Sequence, residues 1–207
     1  MADRLPTGIS VLDRQLDGGI PAGSILLLSA DPASQSESLL YEIAAERRTL
    51  YITTVRSEGA VRDAIDRYRG GLDQLTIRDA GDYPPIDNAT RLVRDLPENA
   101  TLIVDVVDPL EETDPTRFRK FLNELQTHMV NTDSIAVLHA MHGDPPTNRT
   151  LTEHMSDVVF DLRTDTSGSQ IVNRLAVPKF RGGGALEETI KLKLTDGVTI
   201  DTSRDIA

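Results

Sequence analysis

Ile25-Leu26-Leu27-Leu28-Ser29-Ala30-Asp31-Pro32-Ala33-Ser34-Gln35-Ser36-Glu37-Ser38-Leu39-Leu40 reads as a buried strand, a tight loop and the start of a helix. Ser34-x-x-Glu37 has the spacing of a capping box, in which the serine side chain accepts the N3 amide and the glutamate reaches back to the serine amide. Leu39, Leu40, Ile43 and Ala44 then recur on one helical face, which predicts a helix over about residues 35–48.

A loop between such a strand and helix holds phosphate when it reads G-x-x-x-x-G-K-[ST], with backbone amides and the lysine on the phosphates and the hydroxyl on Mg²⁺. At those spacings this chain has Ala30, Gln35, Ser36 and Glu37. Both glycines and the lysine are missing, and a carboxylate stands where the hydroxyl belongs. Two readings follow. In one, the helix caps itself and its own side chains fill the anion site of its N-terminus. In the other, Ala30, Asp31, Pro32, Ala33, Ser34, Gln35, Ser36, Glu37 and Ser38 form a residual nucleotide site. A charge-assisted bond from a lysine is worth roughly 1.5–3 kcal/mol. Repulsion between Glu37 and phosphate adds up to about 4 kcal/mol for a close pair at intermediate dielectric. Mg²⁺ bridging to Glu37 would recover only part of that, so the self-capped reading is favoured.

The chain has 207 residues, 39% of them hydrophobic, which suffices for one domain, residues 1–207, with a buried core. No stretch approaches the roughly 18 apolar residues of a membrane-crossing helix. No charged-then-apolar leader precedes the fold, and a cytoplasmic location is expected. With no cysteine, disulfides and thiolate metal sites are excluded. The net charge is −11, and lysine occurs only at 120, 179, 191 and 193. An acidic, lysine-poor surface suits hydration in concentrated salt, where screening acts over about 3 Å at 1 M. The same field opposes broad contact with a phosphate backbone, so nucleic acid is not an expected partner.

Outward from the opening stretch, apolar strands and amphipathic helices alternate. Strands are expected at 24–29, 49–55, 75–77, 101–106 and 134–140. Helices are expected at about 59–68, 86–95 and from Asp114-Pro115 to about Met129, with Asp82-Tyr83-Pro84-Pro85 in a polar loop and 143–149 irregular. After Met155 the pattern becomes short strands, 158–162, 171–180, 189–194 and 198–200. The fold class is α/β, a mostly parallel central sheet flanked by helices and extended by antiparallel C-terminal strands.

Leu5-Pro6-Thr7-Gly8-Ile9-Ser10-Val11-Leu12-Asp13 and Gly18-Gly19-Ile20-Pro21-Ala22-Gly23-Ser24 resemble the opening of the KaiC/RadA branch of RecA-fold ATPases. Asp105, ending an apolar strand, matches that family's Walker B aspartate, which orients Mg²⁺. Met155-Ser156-Asp157-Val158-Val159-Phe160-Asp161-Leu162 resembles the next core segment, and Arg174 to Gly182 the late strand with the K-x-R-G motif. The resemblance covers about residues 5–200 and implies a RecA-like P-loop NTPase fold of the small KaiC-like type common in halophilic archaea. It makes Asp105 a candidate metal ligand, and Lys179 and Arg181 candidate trans fingers reaching a neighbour's phosphate. The residues themselves also allow a basic pair on an exposed strand end matched to acidic neighbours.

The departures fall on the chemistry. The family's P-loop lysine and hydroxyl align with Ser36 and Glu37, and its paired catalytic glutamates with Val55 and Arg56. ATP hydrolysis needs phosphate positioning, metal and a water-orienting group together. The expected function is therefore that of a catalytically inactive RecA/KaiC-like pseudo-ATPase, a regulatory or scaffold module that binds a protein of the same fold or itself, without cofactor. The alternatives are a nucleotide switch using ATP and Mg²⁺ at Glu37 and Asp105, and a DNA-binding accessory to recombination. His139-x-x-His142 with Asp144 lacks the further ligands of a closed metal site. The loop 143–149, placed where RecA relatives contact DNA, offers one arginine and no aromatic for stacking.

Overall fold

The computed structural model describes residues 3–81 and 84–201; Asp82 and Tyr83 of the expected polar loop lie outside the described residues. In chain order the elements are β1 (Arg4–Leu5), α1 (Ser10–Gln15), β2 (Ile20–Pro21), β3 (Ile25–Ala30), α2 (Glu37–Ala45), β4 (Thr49–Thr53), α3 (Glu58–Arg69), β5 (Leu75–Asp79) and α4 (Pro85–Val93). They continue as β6 (Thr101–Asp105), α5 (Asp108–Glu111), α6 (Pro115–Thr132), β7 (Ile135–Met141), α7 (Arg149–Met155), β8 (Val158–Asp165), β9 (Val172–Phe180), β10 (Ile190–Leu194) and β11 (Val198–Ile200). No helix among the described residues is long and apolar enough to cross a membrane.

Nine strands form one sheet in the order β11-β10-β9-β8-β3-β7-β6-β4-β5, and β1 pairs with β2 apart from it. Strands β8, β3, β7, β6, β4 and β5 run parallel, whereas β9, β10 and β11 are antiparallel. This is the expected parallel sheet with an antiparallel extension. β3 lies between β7 and β8 and is fully buried. Its side chains alternate between two cores, one per face of the sheet. Leu26 and Leu28 enter one with Leu39, Leu40 and Ile43 of α2; Ile25 and Leu27 enter the other with Ile86 of α4 and Phe118 and Leu122 of α6. The left-handed turn before β2 needs glycine at 19, where φ is 121° and a Cβ would stand 2.3 Å from the Leu5 carbonyl oxygen.

The expected capping box is not formed. α2 starts at Glu37 with Ser36 as its N-cap, and no side chain caps it. Ser34 Oγ is enclosed without a hydrogen-bond partner among the described residues. Two short helices, α5 and α7, were not expected, and α7 begins at Arg149, where the irregular loop ends. α6 starts as expected: Asp114 accepts from Thr116 N at 3.0 Å and Arg117 N at 3.1 Å, with Pro115 in the first turn.

The two termini predict opposite outcomes in urea unfolding. Asp114→Ala should cost about 1 kcal/mol, as for a true N-cap, while Ser34→Ala should be neutral or stabilising, since it removes a buried hydroxyl that makes no bond. A loss of about 1 kcal/mol at Ser34 would restore the capping box.

Candidate functional site

Parallel strands bring their C-terminal ends to one edge of the sheet, and the register sets which residues meet there. Thr53 is level with Asp105, Asp105 with His139, and His139 with Leu28. Loops leaving β3 and β4 at this edge supply Ser36 and Arg56. The result is one buried polar network: His139 is 0%, Ser36 2% and Asp105 5% exposed.

Asp105 is at its centre. Its Oδ2 accepts from the Tyr51 hydroxyl at 2.5 Å and from Arg56 Nη2 at 2.9 Å, and its Oδ1 lies 2.7 Å from His139 Nδ1. An ionised carboxylate only accepts, so His139 donates through Nδ1 and turns Nε2 toward Ser36 Oγ, 3.0 Å away. Burial alone would raise the Asp105 pKa; the bond and charge of His139, the Tyr51 hydroxyl and the Arg56 charge outweigh it and bring it to about 2. Burial likewise opposes the charge on Arg56, but bonding to Tyr41 and attraction to Asp105 prevail and hold it protonated. Tyr51 is pushed well above its ordinary value by burial and by the Asp105 charge. The guanidinium thus sits on the carboxylate at the position for which the resemblance implied a metal.

The loop preceding α2 is tied down by a second carboxylate. Asp31 Oδ2 accepts from Thr164 N at 2.8 Å, and Asp31 Oδ1 lies 2.9 Å from His142 Nδ1. The other nitrogen of His142 is 2.9 Å from Asp161 Oδ1. Burial would raise the Asp31 pKa, but the Thr164 amide and His142 lower it. Residues 31–36 include none of the positive-φ positions found among the described residues, so the loop does not form the alternating-handed nest that turns successive amides onto an anion. Ala33, Ser34 and Gln35 instead form one wall of a cleft of about 600 Å³, faced by Thr164, Asn173 and Lys193. Glu37 is half-buried at the start of α2.

The remaining expected residues lie apart from this network. Lys179 Nζ donates to the carbonyls of Glu153 and His154 at 2.7 and 2.8 Å, and Arg181 Nη2 to that of His154 at 2.9 Å. Arg181 also pairs with Asp157 at 3.3 Å. Both therefore cap the C-terminus of α7, where unpaired carbonyls and the negative end of the helix favour cations. Burial and the neighbouring Arg181 lower the Lys179 pKa. The arginine of the 143–149 loop does not face solvent. Arg149 is 6% exposed, bonds Glu111 Oε2 at 2.9 Å and Asp108 Oδ1 at 2.8 Å, and donates to Met141 O. Burial raises the Glu111 pKa, with Arg149 and Thr152 acting against it. His139 and His142 enter different networks, and no group of three or more metal-ligating side chains is arranged to hold an ion among the described residues.

Sequence reasoning located Asp105 and Ser36 but not their partners. The signal present was a charge exchange: relative to the family, a lysine is absent at Ser36 and an arginine is present at Arg56. His139, Tyr51 and the Arg56 contact depend on strand register and were not visible in spacing.

The chain belongs to a family described as a family of unknown function, DUF7125, whose model matches residues 4–207. It is 28% identical, over 92% of its length, to DNA repair protein RadA of Mycolicibacterium smegmatis, and 30% identical, over 79%, to DNA repair protein RadA of Mycobacterium tuberculosis. It spans 43% and 37% of the lengths of those relatives. Among solved structures it is similar to a KaiC-like protein of the hyperthermophilic archaeon Pyrococcus horikoshii OT3, with TM-score 0.78, 14% identity, 97% of this chain covered and 100% of that one. Its fold is the RecA-like fold of KaiC-like proteins, and its relatives by sequence are RadA proteins.

The network predicts an acid limb of stability. Because the Asp105 pKa is depressed in the folded state, its contribution is complete above the ordinary value of 3.8 and lost as pH falls toward about 2. Urea unfolding should register a loss of roughly 2 kcal/mol from this group over that interval. Asp105→Asn should be less stable at neutral pH and lack that part of the slope. An unchanged slope in the variant would remove Asp105 from the linkage.

Proposed function

We propose that this chain is a non-hydrolysing RecA-fold protein, whose nucleotide and metal site has become a structural ion network and which acts through contacts with other proteins. One observation carries the reading: the Arg56 guanidinium lies 2.9 Å from Asp105 Oδ2. A cation held covalently in the chain neutralises the carboxylate. Tyr51 and His139 occupy two further lone pairs, one on each oxygen.

The charge balance supports this reading. A phosphate loop delivers a lysine and free amides to an anion, and a metal then bridges to the acidic strand end. Here the Ser36 hydroxyl is hydrogen-bonded with His139 Nε2, while Asp31 and Glu37 place carboxylates at the two ends of the loop. A triphosphate there would face two negative side chains, without a lysine. A divalent ion reaching Asp105 would have to displace an arginine and break charge-assisted bonds worth roughly 1.5–3 kcal/mol each. The residues present do not fit a phosphate–metal pair. The acidic surface fits a salt-rich cytoplasm.

A second reading, a nucleotide switch that works without catalysis, is favoured by the cleft beside the loop. Ser34, whose enclosed Oγ has no partner among the described residues, lines it, and Lys193 faces it from β10. Such a site would hold a nucleotide without a metal at Asp105.

Calorimetric titration in high KCl with ATP, with and without Mg²⁺, decides between the two. No heat and no rise in melting temperature are expected at nucleotide up to about 1 mM, because a ligand that does not bind the native state leaves its stability unchanged. Saturable binding independent of Mg²⁺ would replace the first reading by the switch. Mg²⁺-dependent binding abolished by Asp105→Asn would overturn both.

A further inference from the structure

On the face of the sheet opposite α2, helices α4 and α6 border a groove of about 580 Å³. Its floor is apolar, formed by Val93 and Phe121, which are 6% and 3% exposed. Its rim is cationic. Arg94 and Arg119 are exposed and form no ion pair among the described residues, and Lys120 is held only loosely by Glu124, at 3.7 Å. His128 lines the same groove, with its Nε2 enclosed and without a hydrogen-bond partner among the described residues. A second hollow continues the groove toward the start of α4, sharing Thr90, Arg94, Lys120, Phe121 and Glu124 with it.

This concentration of cations is unusual in a chain of net charge −11, where acidic residues outnumber Lys and Arg by 33 to 22. Elsewhere Arg69 pairs with Glu42 and Arg56 with Asp105, and Arg62 and Arg67 on α3 are exposed without an ion pair among the described residues; between α4 and α6 three cations, Arg94, Arg119 and Lys120, line one groove together. Unpaired cations around an apolar floor repel one another in the free protein and are stabilised by a negative ligand with an apolar side. An inter-helix groove with these properties takes an amphipathic segment, its apolar residues on the floor and its carboxylates on the rim. Arginine suits that contact because its planar fork grips carboxylates in pairs. Single-stranded nucleic acid is the poorer match, since the one aromatic ring, Phe121, lies in the floor and offers no stacking face.

We propose that the α4–α6 groove is the docking site for an acidic amphipathic segment of a partner protein. The proposal rests on the reading that this chain acts through protein contacts. It occupies the opposite face from the Asp105 network, so nucleotide titration and peptide titration of the same sample can fail separately.

The test is fluorescence anisotropy with a labelled synthetic helix of Glu and Leu at i, i+3, i+4 spacing, alongside a Lys/Leu helix of equal length and a labelled single-stranded oligonucleotide. Wild-type protein should bind the Glu/Leu helix saturably and reject the Lys/Leu helix, with affinity falling as salt rises. The double substitution R94E/R119E should weaken binding by roughly tenfold or more, and R62E on α3 by much less. Melting temperatures confirm that both variants fold. Undiminished binding by R94E/R119E, absence of binding by the wild type, or stronger binding of the oligonucleotide would each overturn the proposal. A mass measurement in solution gives the last outcome: a dimer that R94E/R119E converts to monomer would assign the groove to a second copy of this chain instead.

Discussion

A carboxylate cannot stay ionised inside a protein unless other groups replace the water it has lost. Asp105 meets that condition through three partners from three parts of the chain. Tyr51 comes from β4, Arg56 from the loop after it, and His139 from β7. Ser36 joins through His139 and brings in the start of α2. The ends of β4, β6 and β7 and the first turn of α2 are thereby fixed relative to one another by a single charge. Breaking one of these bonds leaves a buried polar atom unsatisfied, which costs more than the bond itself contributes.

The same condition accounts for the histidines and for the late basic pair. His139 serves Asp105, whereas His142, three residues on in sequence, lies between Asp31 and Asp161. Lys179 and Arg181 bond the last carbonyls of α7 and neutralise that end of the helix. Arg149, with Glu111 and Asp108, closes the base of that helix. The two histidines, the late basic pair and the arginine of the 143–149 loop are thus engaged within the chain, while Arg94 and Arg119, on either side of the α4–α6 groove, form no ion pair among the described residues.

How much of this was legible follows from the range of each interaction. Ile25 to Leu28 announced a central strand, and Asp114-Pro115 a helix start, because both signals lie within a few residues. The capping box at Ser34 and Glu37 was an equally local signal and failed, because a distant group, His139, took the following serine and moved the N-cap to it. α5 and α7, with four and seven residues, are too short to show helical periodicity and are held by the buried Glu111–Arg149 pair. Arg56 lies 49 residues from Asp105. Only the parallel register of β4 and β6 makes them neighbours, and no spacing rule reports that.

The margins of the large sheet carry a consequence of their own. On one side it ends in β11, a strand of three residues, and on the other in β5, whose Thr76, Arg78 and Asp79 are exposed. A short border and a charged border are both poor templates for another chain to zip onto through its backbone. The fold therefore protects itself from uncontrolled growth by strand addition, even though its interior strands are among the most apolar segments it has. Any lasting association with another molecule must be written in side chains, and so is open to adjustment one residue at a time.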